Sequence, residues 1–198
     1  VFTLNLIFIG KKNKLNPIIV SYPRSGQSYV KYAFTLSFLK SFKSSHLNKP
    51  GEIDDLKNYD YVIMLIRNPL DSISSMVAME MEFFPHYDLK ETVEKRIKEY
   101  TKFYSIALNK IDLFIDFEDI ANNFNKVINY VSIHSGYPIL NNKITDYVND
   151  DNKTNFLKSS KKSKNYEKVF DFVKSYDLNE CSSLYNLSLE RCINLSEI

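Results

Sequence analysis

Apolar residues recur along this chain in two rhythms. Ile18–Tyr22 is a short β-branched run, and Tyr61–Arg67, YVIMLIR, is a continuous apolar one. Such runs predict strands, the second buried on both faces at the centre of a sheet. From Gly26 to Lys40 the rhythm changes, and Val30, Phe34, Leu36, Phe38 and Leu39 supply the apolar surface of a helix. Ser41–Lys49 reads as a short strand running into a loop, and NKPGEIDDLKNYD as a turn with a short helix. In NPLDSISSMVAMEMEFF, Pro69 suits the first turn of a helix and Asn68 its cap. Leu89–Asn109 is a charged helix whose apolar positions include Val93, Ile97, Tyr100 and Tyr104. IDLFIDFEDI predicts another strand and Ile120–Ser135 another helix. FLKSSKKSKN is a basic loop, and Tyr166–Tyr176 and Leu178–Leu187 are closing helices. Strands alternating with helices predict an α/β fold of three layers, a parallel sheet flanked by helices on both faces. Ligands of such sheets sit at the carboxyl ends of the strands, where Arg24 and Arg67 both fall.

Composition narrows the picture. A length of 198 residues suits one domain, taken as residues 1–198, and no internal repeat is visible. The net charge of +2 is too small for nucleic-acid binding by bulk electrostatics, so the basic residues that matter are local ones. The apolar start, VFTLNLIFIG, is far shorter than the ~20 residues of a membrane span. Its lysines follow the apolar run, the wrong order for a secretory signal, and it reads as a strand or packed arm. The two cysteines, Cys181 and Cys192, form no zinc pattern. They suit a reducing cytoplasmic setting, with a bridge between them as the alternative.

The stretch IIVSYPRSGQSYVKYAF joins the first strand to the first helix. A helix N-terminus carries unsatisfied N–H groups and partial positive charge, so it binds anions. Gly26 permits a positive φ and close approach, Arg24 adds a fixed cation, and Ser25 and Ser28 add hydroxyls. This outlines a phosphate or sulfate cradle. It is not a Walker A loop, which needs an upstream glycine and a lysine. An ordinary strand–helix turn with a surface arginine is the alternative.

Tyr22-Pro23-Arg24-Ser25-Gly26-Gln27-Ser28-Tyr29 resembles the 5′-phosphosulfate loop, YPKSGTTW, of the sulfotransferases that use 3′-phosphoadenosine-5′-phosphosulfate (PAPS). Arg24 takes that family's Lys position, Gln27 and Ser28 replace two threonines, and Tyr29 replaces the Trp that stacks on adenine. IRNPLDSISS resembles the family's 3′-phosphate motif, RNPKDVAVS, with Arg67 and Ser75 matching its Arg and Ser. His46-Leu47 stands in register with the family's KTHLP-like stretch, which carries the catalytic His. The family's Lys two residues before that His is Ser44 here. Either Lys43, one residue earlier, reaches the site by a local bulge or that role is lost. Phe117-Glu118-Asp119-Ile120 is similar to the family's YEDL, its acids capping a helix and balancing a positive site. The family's closing loop, RKGxxGDWK-like, has no counterpart string, but LKSSKKSKNY lies at a comparable place.

The resemblance implies a P-loop NTPase-like sulfotransferase fold and transfer of a sulfuryl group from PAPS to a hydroxyl or amine acceptor. Adenosine 3′,5′-bisphosphate is then the product, and no metal is needed. It implies that Ser25, Gly26, Gln27 and Ser28 hold the 5′-phosphate and that Tyr29 stacks on adenine. Arg67 and Ser75 hold the 3′-phosphate, with Ser159, Lys161 and Lys162 assisting. Arg24 stabilises the charge on the bridge oxygen, and His46 removes the acceptor proton. Glu80 or Glu82 is the substitute base, while His86 and His134 read as acceptor-loop and surface residues. Met79, Met81, Phe83, Phe84, His86 and Tyr87 lie in a segment that suits an acceptor pocket for a small molecule, carbohydrate or lipid alcohol, with core packing as the alternative. Two other readings stand beside this one: a P-loop-like nucleotide phosphotransferase and a nucleotide-binding module without catalysis.

Overall fold

Strands β1 (Pro17–Ser21), β2 (Lys43–His46), β3 (Tyr61–Ile66) and β4 (Phe114–Asp116) form one parallel sheet in the order β2-β1-β3-β4. They belong to a computed structural model that describes residues 17–39, 43–46, 56–111, 113–140 and 164–193. β1 is buried along its whole length and β3 over its last four residues, as continuous apolar strands in the middle of a sheet must be. Register brings the strand ends together. Ser21 lies opposite both His46 and Leu65, and Ile66 lies opposite Asp116.

Helices α1 (Gln27–Phe38), α2 (Pro69–Phe83), α3 (Leu89–Lys110), α4 (Phe117–Ser135), α5 (Tyr166–Lys174) and α6 (Asn179–Leu189) cover the two faces. Alternate residues of each strand point to opposite sides. Ile18, Val20, Met64 and Ile66 join Ile73, Val77, Tyr100, Tyr104, Val169 and Cys181, from α2, α3, α5 and α6. Ile19, Ile63 and Leu65 join Val30 and Phe34 of α1 and Ile120, Phe124 and Val127 of α4. These two cores make the predicted three layers. The chain leaves β1 towards β2 and leaves β3 in the opposite direction, towards β4. That reversal sets the topological switch point, and hence the crevice, between the carboxyl ends of β1 and β3.

Local chemistry sets the helix starts. Asn68 Oδ1 accepts a 3.0 Å hydrogen bond from the Leu70 N–H, with Pro69 opening α2 as predicted. Asp88 Oδ1 accepts from the Glu91 N–H at 2.8 Å and caps α3. The predicted strand IDLFIDFEDI is shorter than expected. It ends at Asp116, and Phe117 already opens α4, so Glu118 and Asp119 lie in the helix's first turn, where their charge opposes the dipole's positive end. Of the short helix predicted before β3, the described residues show a 3₁₀ turn over 56–58. The thiols of Cys181 and Cys192 are free; the first lies against Thr101 of α3, and the backbone of Cys192 bridges to Phe114 of β4. No described helix is long and apolar enough to cross a membrane. The N-terminal arm lies outside the described residues.

Candidate functional site

The loop after β1 is stapled from below. Tyr22 is buried, with ring centroids 5.3 Å from Tyr100 and 5.6 Å from Phe103 of α3. Ser72 Oγ donates to the Pro23 carbonyl at 3.1 Å, tying the loop to α2. Between these anchors and α1 the backbone turns sharply, with φ +68° at Arg24 and +82° at Gly26. Left-handed backbone is unfavourable for arginine and is the kind of strain held at functional sites. At Gly26 it comes with a second constraint: a Cβ there would lie 2.2 Å from two ring atoms of Phe117. The Gly26 carbonyl accepts the first α1 hydrogen bond, from the Val30 N–H at 3.1 Å. Gly26 is the N-cap and among the described residues no side chain caps the helix, which leaves its first-turn N–H groups open to a ligand.

Two arginines meet above this turn. Arg67 Nη1 donates to the Arg24 carbonyl at 3.0 Å, and Arg24 Nε donates to Ser75 Oγ at 3.0 Å. The Arg67 carbonyl accepts from Tyr100 OH at 3.0 Å, and its guanidinium carbon stands 5.2 Å from the centre of the Phe117 ring. Neither arginine makes an ion pair among the described residues. Partial burial, and then the charge of Arg67, push the pKa of Arg24 down. Arg67 Nε is buried without a hydrogen-bond partner among the described residues. Paired cations, an unused buried donor and an uncapped helix start suit a polyanion.

The structure therefore brings Arg24, Gly26, Arg67 and Ser75 into one crevice, but it pairs Ser75 with Arg24 rather than with Arg67. Ser28 is exposed and Tyr29 half-buried, its ring edge-on to Phe117 at 6.3 Å. Two hydroxyl or amide side chains of the loop point inward instead. The Ser25 side chain is wholly buried, close to Tyr104, and Gln27 Nε2 donates to the Ile19 carbonyl at 3.0 Å. The Gln27 amide is thereby committed to the fold, whereas Ser25 Oγ is buried without a hydrogen-bond partner among the described residues. The backbone of His46 ends β2 opposite Ser21, while its side chain lies outside the described residues, as do Ser159, Lys161 and Lys162.

Lys43 shows no bulge: its backbone stays in the register of β2. It begins β2 opposite Ile18, about 10 Å of strand from His46, with its ammonium 5.4 Å from the centre of the Tyr59 ring. The substitute base Glu80 is also committed elsewhere. Its carboxylate is buried and takes Arg96 in two contacts, one of them Nε to Oε2 at 2.8 Å, while Arg96 also pairs with Glu99. Glu82 is exposed near the far end of α2. Removing Glu80 leaves Arg96 half-paired, with Glu99 alone, so Glu80→Ala is expected to lower unfolding free energy by about 1–2 kcal/mol in urea denaturation. His86 stands in the exposed turn beside Tyr87, and His134 stacks on Tyr130 at 4.1 Å. Four residues around the crevice were not read from sequence as parts of it: Ser72, Tyr100, Tyr104 and Phe117. Only Phe117 had a signal, as the first residue of the YEDL-like string.

The chain has the three-layer α/β fold of the sulfotransferases. One solved structure with that fold, mouse sulfotransferase SULT7A1 complexed with PAP, matches with a TM-score of 0.51 and 15% sequence identity. The match covers 89% of this chain and 83% of that one. At this identity the likeness speaks for the fold. No family model and no curated protein matches the sequence.

Proposed function

We propose that this chain is a sulfotransferase that moves a sulfuryl group from PAPS to a hydroxyl or amine acceptor by in-line transfer. The observation that carries this reading is the meeting of Arg24 and Arg67, un-ion-paired among the described residues, at the uncapped start of α1. When bound, PAPS supplies the sulfuryl group. The N–H groups of Ser25, Gly26, Gln27, Ser28 and Tyr29, with the Ser28 hydroxyl, hold the 5′-phosphate. Arg67 and Ser75 hold the 3′-phosphate, and Tyr29 offers its ring to adenine. Arg24 stabilises the negative charge that develops on the bridge oxygen, and His46 takes the acceptor's proton. Catalysis here is positioning and charge stabilisation by the chain's own groups.

Ser159, Lys161 and Lys162 are assigned to the nucleotide as well. The support is Tyr166, which follows them within a few residues of sequence and donates its hydroxyl to Asp71 Oδ1 at 3.0 Å, one turn of α2 before Ser75. The acceptor is a small molecule, carbohydrate or lipid alcohol, met by the aromatic turn after α2, where Phe84 and Tyr87 stack at 5.0 Å. The free thiols favour a reducing cytoplasmic setting.

Calorimetry with adenosine 3′,5′-bisphosphate against ATP, followed by an acceptor screen with radiolabelled donor, tests the proposal. Tight bisphosphate binding with labelled product supports it. Binding without transfer to any acceptor leaves a nucleotide-binding module, and magnesium-dependent ATP consumption points to a phosphotransferase. His46→Asn is expected to slow transfer about a hundredfold with bisphosphate binding unchanged. Wild-type turnover in that variant would remove His46 from the role of base.

A further inference from the structure

Phe117 lies against Gly26, Tyr29 and Arg67 without belonging to either anion-binding loop. It is the first residue of α4, directly after Asp116, whose Oδ2 accepts a hydrogen bond from Tyr185 OH at 3.0 Å. Its ring lies so close to Gly26 that no side chain fits there, and Tyr29 meets it edge-on, with 74° between the planes. The ring is thus confined by one loop, while its face is turned to the arginine of the other. Arg67 needs such a surface. Among the described residues its guanidinium makes one hydrogen bond, from Nη1 to the Arg24 carbonyl, and its buried Nε makes none. One hydrogen bond does not set the plane of a guanidinium, whereas a hydrogen bond together with an aromatic face does.

We propose that Phe117 is a positioning residue for Arg67: its ring, wedged against Gly26, presets the guanidinium to receive an anion before any ligand arrives. Binding then needs less reordering of a flexible side chain, which is where preorganisation gains affinity. The inference rests on the proposed function only in the choice of adenosine 3′,5′-bisphosphate as probe.

The test has a spectroscopic arm and a binding arm. In wild-type protein the Arg67 Nε–H resonance, assigned by its loss in Arg67→Gln, is expected to be displaced by the ring current and to show cross-relaxation with the Phe117 ring. Phe117→Leu should return that resonance to the position of a free arginine and weaken bisphosphate binding about tenfold. Phe117→Tyr should preserve both. In the Arg67→Gln background, Phe117→Leu should cause no further loss of affinity, because the group it positions is gone. Phe117→Met carries the same arms should the leucine variant fail to fold. An undisplaced Arg67 resonance in the wild type, or equal losses of affinity in both backgrounds, would overturn the proposal. Failure of the wild type to bind the bisphosphate would sink the sulfotransferase reading instead, while the resonance still decides the role of Phe117.

Discussion

Arg24→Ala is expected to cut sulfuryl transfer about a thousandfold while bisphosphate affinity falls no more than about tenfold. The reasoning starts from the backbone. Arginine is held at φ +68°, between the stapled Pro23 carbonyl and the glycine that begins α1, so its side chain leaves the turn in one imposed direction. At rest its Nε is bonded to Ser75, and Arg67 already occupies its carbonyl. On the proposed reading, that guanidinium does most of its work when charge builds on the leaving oxygen, not when the nucleotide docks. Interactions made only in the transition state lower kcat more than they weaken binding. Arg24→Lys keeps the charge and loses the fork, and should recover part of the rate. Turnover with labelled donor, set beside calorimetry, separates the effects. A variant that loses affinity and kcat/KM in equal proportion would place Arg24 in binding alone.

Arg67→Ala should show the opposite pattern, with bisphosphate affinity lowered about a thousandfold. Arg67 leaves the end of β3 beside β1, its carbonyl pinned by Tyr100 and its Nη1 on the neighbouring loop. Removing it takes away a charge-assisted fork and the bond that joins the two loops, so both halves of the crevice lose their partner. Arg67→Lys should recover little, since an ammonium can neither lie flat on Phe117 nor supply two parallel donors. Calorimetry at two salt concentrations checks this. An affinity within about threefold of wild type would take Arg67 out of the nucleotide site.

Much of the frame was legible in the order of residues because it rests on local physics. The unbroken apolar run from Tyr61 to Ile66 meant a strand covered on both sides, and it is the second central strand. Pro69 after Asn68 meant a helix start, and Asn68 makes the bond. What stayed hidden depends on which distant segments meet. Nothing near Gln27 says that its amide turns back to the Ile19 carbonyl, because the space beneath a turn is set by the strand it leaves. Glu80 looks like a free acid until α3 packs on α2 and brings Arg96, sixteen residues on, against it. Phe117 reads as a strand residue by composition. It became a helix start because β4 stops at Asp116, and only the crossover of the sheet lays that start beneath Gly26.

The position of β2 has its own consequence. Among the described residues it is hydrogen-bonded to β1 alone, on the outer margin of the sheet, whereas Arg24 and Arg67 hang from the two innermost strands. On the proposed reading, grip and chemistry thus stand on unequal mechanical footings. Were that margin to peel away or be rebuilt, the two arginines would keep their hold while His46, the proposed proton acceptor, departed, so an inert but tightly liganded chain would be one local rearrangement from an active one.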